Sequence, residues 1–401
     1  MKRIEITNDI FYVGVKDFDI DVFDVVMETK YGTTYNSYVV KGSEKTAIFE
    51  TVKDKFYDEY IENLKQIVSL EEIDYIVVSH TEPDHVSSII HLLELIPNVK
   101  VVGTKAAINY LKDIVNKDFN ALVVKDGEEL SLGDKTLKFI GAPFLHWPDT
   151  MYTYIEEDEI LITCDSFGSH YASESNFVSE ISRESNDNYL EALRYYYDCI
   201  FSPFKPFVLK AITKVRDLSL KYILTGHGPI LDERIDEILT YYKEWSTPPK
   251  KDKKLVVIPY ATCYGYTKEA CDQIIEGIMT SEDIEVKTYD INVKNINEAL
   301  VQIQSDLTLA RGILIGSTTI NGDAPSVIWD VLKIINMHTH KNIVASSFGS
   351  YGWSGEAVTN IMERLKQQKA KTMDGFKFKF KPNDEELNAA FEFGKAFGEL
   401  L

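Results

Sequence analysis

At 401 residues the chain is longer than a single hydrophobic core ordinarily serves, so two domains are expected. Apolar residues make up 44% and aromatics 12%, enough for globular cores, while 63 acidic against 43 basic side chains leave a net charge of −20, which argues against nucleic acid and anionic membranes as partners. No run approaches the ~18 apolar residues of a spanning helix, and the opening Met1-Lys2-Arg3-Ile4-Glu5 has no apolar signal core, so a cytoplasmic protein is expected.

The first half begins with short runs rich in β-branched and aromatic residues, Ile10 to Val15, Tyr35 to Val40 and Thr46 to Thr51, separated by turn residues. A helical pattern follows from Lys55 to Val68, and then Tyr75-Ile76-Val77-Val78 reads as a buried strand. Directly after it stands Ser79-His80-Thr81-Glu82-Pro83-Asp84-His85, and from Val86 to Leu95 apolar residues return at helical spacing. The cluster therefore sits in a strand-to-helix turn, where side chains converge on a ligand without disturbing the sheet.

Two carboxylates crowded with two imidazoles into six residues would repel each other and raise their own pKa values. A cation of charge two or more removes that cost. Four ligands are too many for so tight a turn to aim at one ion, so two metals are expected.

Further strands are expected at Lys100-Val101-Val102-Gly103, Ala121 to Val124 and Leu137 to Ile140, with a helix near Ala106 to Val115. His146 ends the Phe139 to Leu145 run, Asp165 follows the strand-like Glu159 to Cys164, and His227 follows Tyr222 to Gly226. These metal-capable groups also stand just past strands, so convergence at one rim is expected. Runs of strands with helices between them suit two packed sheets with helices outside.

His80-x-Glu82-x-Asp84-His85 resembles the metallo-β-lactamase-fold signature His-x-His-x-Asp-His, with Glu82 standing where zinc hydrolases of that fold carry a histidine. Together with Leu145-His146-Trp147-Pro148-Asp149, Thr163-Cys164-Asp165-Ser166-Phe167-Gly168 and Thr225-Gly226-His227-Gly228-Pro229, it resembles the flavodiiron proteins over essentially the whole chain. The resemblance implies an αββα sandwich in which one iron takes His80, Glu82 and His146, the other Asp84, His85 and His227, and Asp165 bridges. It also puts His170 and Tyr197 where the family has groups beside the exchangeable site, able to donate hydrogen bonds to bound oxygen species; a surface histidine and a buried tyrosine are the bland alternatives. Oxygen-rich ligation favours iron, with a dizinc hydrolase of the same fold as runner-up. His91, His338 and His340 are assigned no role. Cys164, Cys199, Cys263 and Cys271 form no Cys-x-x-Cys pair and read as free thiols, against an appended rubredoxin-like iron site.

At Trp245-Ser246-Thr247-Pro248-Pro249-Lys250-Lys251-Asp252-Lys253-Lys254 the composition shifts to a linker, giving a first domain over residues 1–248 and a second over 254–401. Beyond it, strands at Leu255 to Tyr260, Ile284 to Ile291, Gly312 to Ile315 and Asn342 to Ala345 alternate with helices at Lys268 to Met279, Ile296 to Ile303, Ser326 to Ile335 and Gly355 to Leu365, before a last helix at Asp384 to Leu400. This is the pattern of a doubly wound parallel sheet, with its ligand site at the carboxyl ends of the strands.

Three loops are expected there. Thr262-Cys263-Tyr264-Gly265-Tyr266-Thr267 is hydroxyl-rich and opens a helix, as a phosphate site requires. It resembles the phosphate loop of flavodoxins, although Cys263 and Tyr266 replace smaller residues common in that family. Ser317-Thr318-Thr319-Ile320-Asn321-Gly322-Asp323 is the second. In the third, Ser347-Phe348-Gly349-Ser350-Tyr351-Gly352-Trp353-Ser354, glycines let the backbone approach a flat ring near Tyr351 or Trp353. All three in order imply FMN.

The resemblance thus implies that FMN relays electrons to a diiron centre that reduces dioxygen to water. The family also reduces nitric oxide to nitrous oxide, and the sequence does not decide between the two gases. Rubredoxin and reduced coenzyme F420 are the donors implied, and a head-to-tail homodimer or dimer of dimers the assembly. A flavodoxin-like electron carrier, with the first domain used for docking, is the remaining rival.

Overall fold

In a computed structural model the described residues are 4–248, 253–337, 339–340 and 342–401; part of the expected linker and His338 lie outside them. The chain divides into two compact units, Met1–Thr247 and Pro248–Leu401.

The first unit stacks two sheets. The larger runs in the order Ile4–Thr7, Ile10–Tyr12, Tyr38–Lys41, Thr46–Phe49, Ile73–Val77, Lys100–Gly103, Ala121–Val123; the smaller runs Glu129–Ser131, Thr136–Gly141, Met151–Ile155, Ile160–Cys164, Tyr222–Thr225. Alternation along each strand decides which face packs where. Ile160 and Ile162 point into the core between the sheets, with Val77, Val102 and Phe49 from the opposing sheet. Leu161 points outward, beneath the helices Asn186–Tyr196, Lys205–Val215 and Ile235–Ser246. Ile76 and Val78 likewise face the helices Tyr57–Ile67, Ile89–Leu95 and Lys105–Val115. Strands covered on both sides read as continuous apolar runs for this reason, and the layers are the αββα sandwich expected.

The helix expected from Val86 to Leu95 is in two pieces, Pro83–Val86 and Ile89–Leu95. Between them the Ser87 hydroxyl accepts the Asp54 N–H at 2.8 Å and the Ser88 N–H bonds the Val52 carbonyl at 3.3 Å, which draws the backbone off the helical path.

The second unit is a parallel sheet in the order Ile284–Asp290, Lys254–Tyr260, Ala310–Gly316, Val344–Tyr351, with Lys371–Thr372 and Phe376–Lys379 both pairing with the last. The helices Tyr266–Ile278 and Asp384–Glu399 pack on one face, and Ile296–Leu307, Ser326–Lys333 and Glu356–Gln367 on the other. Strand order reverses beside Lys254–Tyr260, which opens a crevice at the carboxyl ends. The strand expected to stop at Ala345 continues to Tyr351, so Ser347 to Tyr351 belong to the sheet.

Candidate metal centre and flavin cradle

The Ile73–Val77 strand delivers the His80 turn to the rim, and two hydrogen bonds hold it there. Glu50 Oε1 accepts the Ser79 N–H at 2.8 Å, and the Ser79 carbonyl accepts the Met151 N–H at 2.8 Å. Asp149, in the loop that carries His146, accepts the Thr81 hydroxyl at 2.9 Å and so ties the two loops together.

Around that rim the seven metal-capable side chains form two groups. In one, His146 Nε2 lies 2.8 Å from Glu82 Oε2 and 3.1 Å from Asp165 Oδ2, and His80 Nε2 lies 3.4 Å and 3.3 Å from the same two oxygens. In the other, His85 Nε2 is 2.9 Å from Asp165 Oδ1 and 3.4 Å from Asp84 Oδ2, and His227 Nε2 is 3.1 Å from Asp84 Oδ2 and 3.5 Å from Asp165 Oδ1. Asp165 thus turns one oxygen to each group.

The contacts within the second group are short yet badly aligned. Both oxygens of Asp84, both ring nitrogens of His85 and Oδ1 of Asp165 are buried and have no hydrogen-bond partner among the described residues. Leaving each unsatisfied costs about 1–3 kcal/mol, whereas a cation between them satisfies all the inward-facing atoms together. The residues therefore fit a pair of metal ions: the ligand atoms of His80, Glu82, His146 and Asp165 lie within 4.8 Å of one another, as do those of Asp84, His85 and His227.

Without metal, the two charges answer each other. Burial alone would lower His146, but hydrogen bonds to Asp165 and Glu82 push it up to about 9. Burial would raise Glu82, and the bonds from His146 and His80 hold it below the usual carboxylate range. His85 is raised by Asp84, Cys164 and Asp165 against its burial.

Further out, His227 Nδ1 bonds the Thr34 carbonyl at 2.5 Å, which leaves Nε2 for the rim. His170 is buried, with Nδ1 2.8 Å from the Thr33 hydroxyl and its ring 5.0 Å from that of His227. Its Nε2 has no partner among the described residues. Burial, then the neighbouring His227, hold His170 well below the ordinary histidine value, so the ring is neutral.

Tyr197 is not beside this group. Its hydroxyl meets Ser246 Oγ at 2.7 Å and its ring packs on Tyr242 and Trp245. The preceding residue takes the place expected of it: the Tyr196 ring lies 4.8 Å from His170 and 6.1 Å from His227. Sequence reasoning selects the wrong member of a tyrosine run: the helix buries the stripe Tyr189, Ala192, Leu193 and Tyr196, and Tyr197 opens the π turn that follows it. It also passes over Thr33, Thr34 and Glu50, whose contacts come from distant strands and carry no local signal.

In the second unit the phosphate loop ends at Gly265, whose φ of +81° caps the Tyr266–Ile278 helix while its N–H bonds Thr262 Oγ1 at 3.1 Å. The first turn of that helix is thus open to an anion. Thr267 Oγ1 meets Ser350 Oγ at 3.1 Å and ties the first loop to the third. Ser317 N–H bonds the Phe348 carbonyl and Thr319 N–H the Ser350 carbonyl, tying in the second. A Cβ at Gly349 would lie 1.8 Å from the Ser317 carbonyl oxygen, so only glycine allows this approach. Tyr264 and Trp353 are 82% and 90% exposed, two rings free to cover a flat ligand. Phe348 and Ser347 cannot offer side chains to it: Phe348 is in the core, and the Ser347 hydroxyl bonds the Ile315 carbonyl.

Comparison with known proteins agrees with both halves. Residues 33–228 match the model of the ODP family beta lactamase, and residues 258–394 that of flavodoxin. The chain is 38% identical over 407 residues to a flavo-diiron protein of Clostridium acetobutylicum, with all of both chains covered. It is 34% identical to a nitric oxide reductase of Moorella thermoacetica, covering 98% of this chain and 97% of the relative. Among solved structures, the rubredoxin oxygen:oxidoreductase of Desulfovibrio gigas superposes with a TM-score of 0.68 at 26% identity, covering 99% and 98% of the two chains.

Proposed function

Because the chain belongs to the flavodiiron proteins, we propose that it reduces dioxygen to water at a diiron centre held by His80, Glu82, His146, Asp84, His85, His227 and the bridging Asp165. The observation that carries this reading is the division of Asp165, with Oδ2 toward one group and Oδ1 toward the other. When bound, the flavin and two irons together supply the four electrons that dioxygen needs to become water.

The protein's own residues prepare that chemistry. The Thr34 carbonyl on Nδ1 fixes the orientation of His227 and leaves its Nε2 inward on the rim. His170, neutral and with Thr33 on Nδ1, presents Nε2 beside His227, where its N–H can donate to an oxygen-containing ligand. Phe23 packs on His170 at 4.3 Å and on His227 at 5.4 Å, which excludes water from that side. In the second unit, Thr262, Gly265 and Thr267 would hold the FMN phosphate, and Gly349 with Trp353 its ring.

Nitric oxide is the second reading, favoured by the name of the Moorella relative. Anaerobic turnover of each gas by the reduced enzyme decides: oxygen uptake well above nitrous oxide formation supports the proposal, and the reverse overturns it. A rubredoxin is the proposed donor, in keeping with the name of the Desulfovibrio oxidoreductase, with reduced coenzyme F420 as the alternative. Stopped-flow reduction of the bound flavin by each distinguishes them. The proposed assembly is a head-to-tail pair, which a fully active monomer in sedimentation would exclude.

A further inference from the structure

Each candidate ligand histidine has a second ring nitrogen, and the partner of that nitrogen determines how well the first binds metal. His227 has a backbone carbonyl there. His80 has a side chain: its Nδ1 lies 3.2 Å from Sγ of Cys164, and both residues are buried. Nothing in the reaction proposed above uses this thiol.

The local backbone is shaped around the contact. Register shifts between Ile162 and Cys164 where the Ile160–Cys164 strand meets Tyr222–Thr225. Cys164 itself has φ +51°, a left-handed conformation that costs an ordinary side chain roughly 1–2 kcal/mol. Its carbonyl accepts the Gly226 N–H at 2.6 Å, which pins it there. On the far side Gly226 leaves the space: a Cβ at that position would stand 3.1 Å from the Cys164 sulfur and 2.8 Å from Cε1 of His85. The irregular strand end thus does two things at once, turning Asp165 to the rim and Sγ beneath His80.

We propose that Cys164 is a positioning residue for the metal on the His80 side, its sulfur accepting the Nδ1–H and so fixing the tautomer that leaves Nε2 free for that ion. The inference rests on the diiron reading. With an ion on Nε2, the nitrogen that faces Glu82 and Asp165 at 3.4 and 3.3 Å, the neutral ring would carry its proton on Nδ1. Sulfur is a weaker hydrogen-bond acceptor than the carbonyl oxygen that stands behind His227. The two halves of the centre are therefore supported unequally from behind.

The test is a titration of the full-length, metal-free chain with cobaltous ion under anaerobic conditions, read by the visible absorption of the bound ion and by stoichiometry. Wild type, Cys164→Ala and Cys164→Ser are compared, with melting temperature as a control for folding. The expected result is two ions in wild type, a roughly tenfold or greater rise in Kd for one ion only in Cys164→Ala, and near-wild-type binding in Cys164→Ser, whose oxygen restores an acceptor. Unchanged binding of both ions in Cys164→Ala overturns the inference while leaving the diiron reading intact. Equal weakening of both ions, unrelieved by serine, also overturns it, because that marks a structural role. A wild-type chain that binds no ion sinks the diiron reading and the inference with it.

Discussion

The two units build their sites from different materials. In the first, the site is a set of buried and half-buried imidazoles and carboxylates already gathered within hydrogen-bonding range of one another. In the second, it is mostly backbone: a helix start, a glycine pressed on a carbonyl, and one hydroxyl pair with backbone hydrogen bonds that fasten three segments together, with exposed rings above. A metal demands particular donor atoms, whereas a phosphate and a flat ring demand a surface shape and N–H groups. Side-chain deletion should therefore destroy the first site, and added bulk the second.

The largest effect is expected at the residue that serves both metal groups. Asp165→Ala should lower iron content and gas turnover by at least roughly 100-fold while the flavin remains bound, as measured by metal analysis and the flavin spectrum. Retained activity in this variant would favour the electron-carrier alternative. Gly349→Ala is the mirror experiment. Its methyl group cannot avoid the Ser317 carbonyl, so the second unit should lose FMN and about 1–3 kcal/mol of stability or more, with the iron of the first unit unaffected. Loss of both cofactors in either variant would mean the two sites are not separable as described.

This contrast also explains how much is legible in the sequence. His80, Glu82, Asp84, His85, His146, Asp165 and His227 stand out because imidazoles and carboxylates after apolar strands have few other uses, and the structure brings all of them to one rim. The doubly wound alternation of the second half is equally plain, since its strands are buried on both faces. The helices Asn186–Tyr196, Lys205–Val215 and Ile235–Ser246 escape a reading of the sequence. In the first and third the buried stripe runs through tyrosines, Tyr189 and Tyr196 in one and Tyr242 in the other, and in the second it is a short set, Val208, Ala211, Ile212 and Val215, between lysines. Tyr196 is passed over in favour of Tyr197 because three tyrosines in a row hide which one continues the buried stripe of Tyr189, Ala192 and Leu193, and the motif around Cys164 does not disclose its role because a strand bulge decides where its sulfur points. The end of the Val344–Tyr351 strand is misplaced because Ser347, Gly349 and Ser350 look like a loop by composition.

Smaller effects sharpen the account of the first unit. His170→Ala should reduce gas turnover roughly tenfold or more with iron content unchanged, since the ring touches His227 yet stands outside both groups. If iron is lost in proportion, the residue only supports folding. A pH effect follows from the metal-free state. His146 sits at about 9 there, above its ordinary 6.5, so its pairing with Asp165 and Glu82 stabilises the metal-free fold fully below pH 6.5 and is lost as pH rises toward 9. Metal must displace that proton, so affinity should climb over the same window. Melting of the metal-free chain should fall by a few degrees between pH 6.5 and 9, while the metal-loaded chain does not follow; parallel curves would contradict the paired groups described.

One determination bears on the central claim more directly than any variant. The chain is purified without oxygen, its iron and FMN are counted, and dioxygen is supplied to the reduced protein while uptake and peroxide are followed. The account predicts two irons and one FMN per chain and water as the product, with no peroxide released. A correctly folded, colourless protein free of iron, or one loaded with two zinc ions that consumes no oxygen, would contradict it.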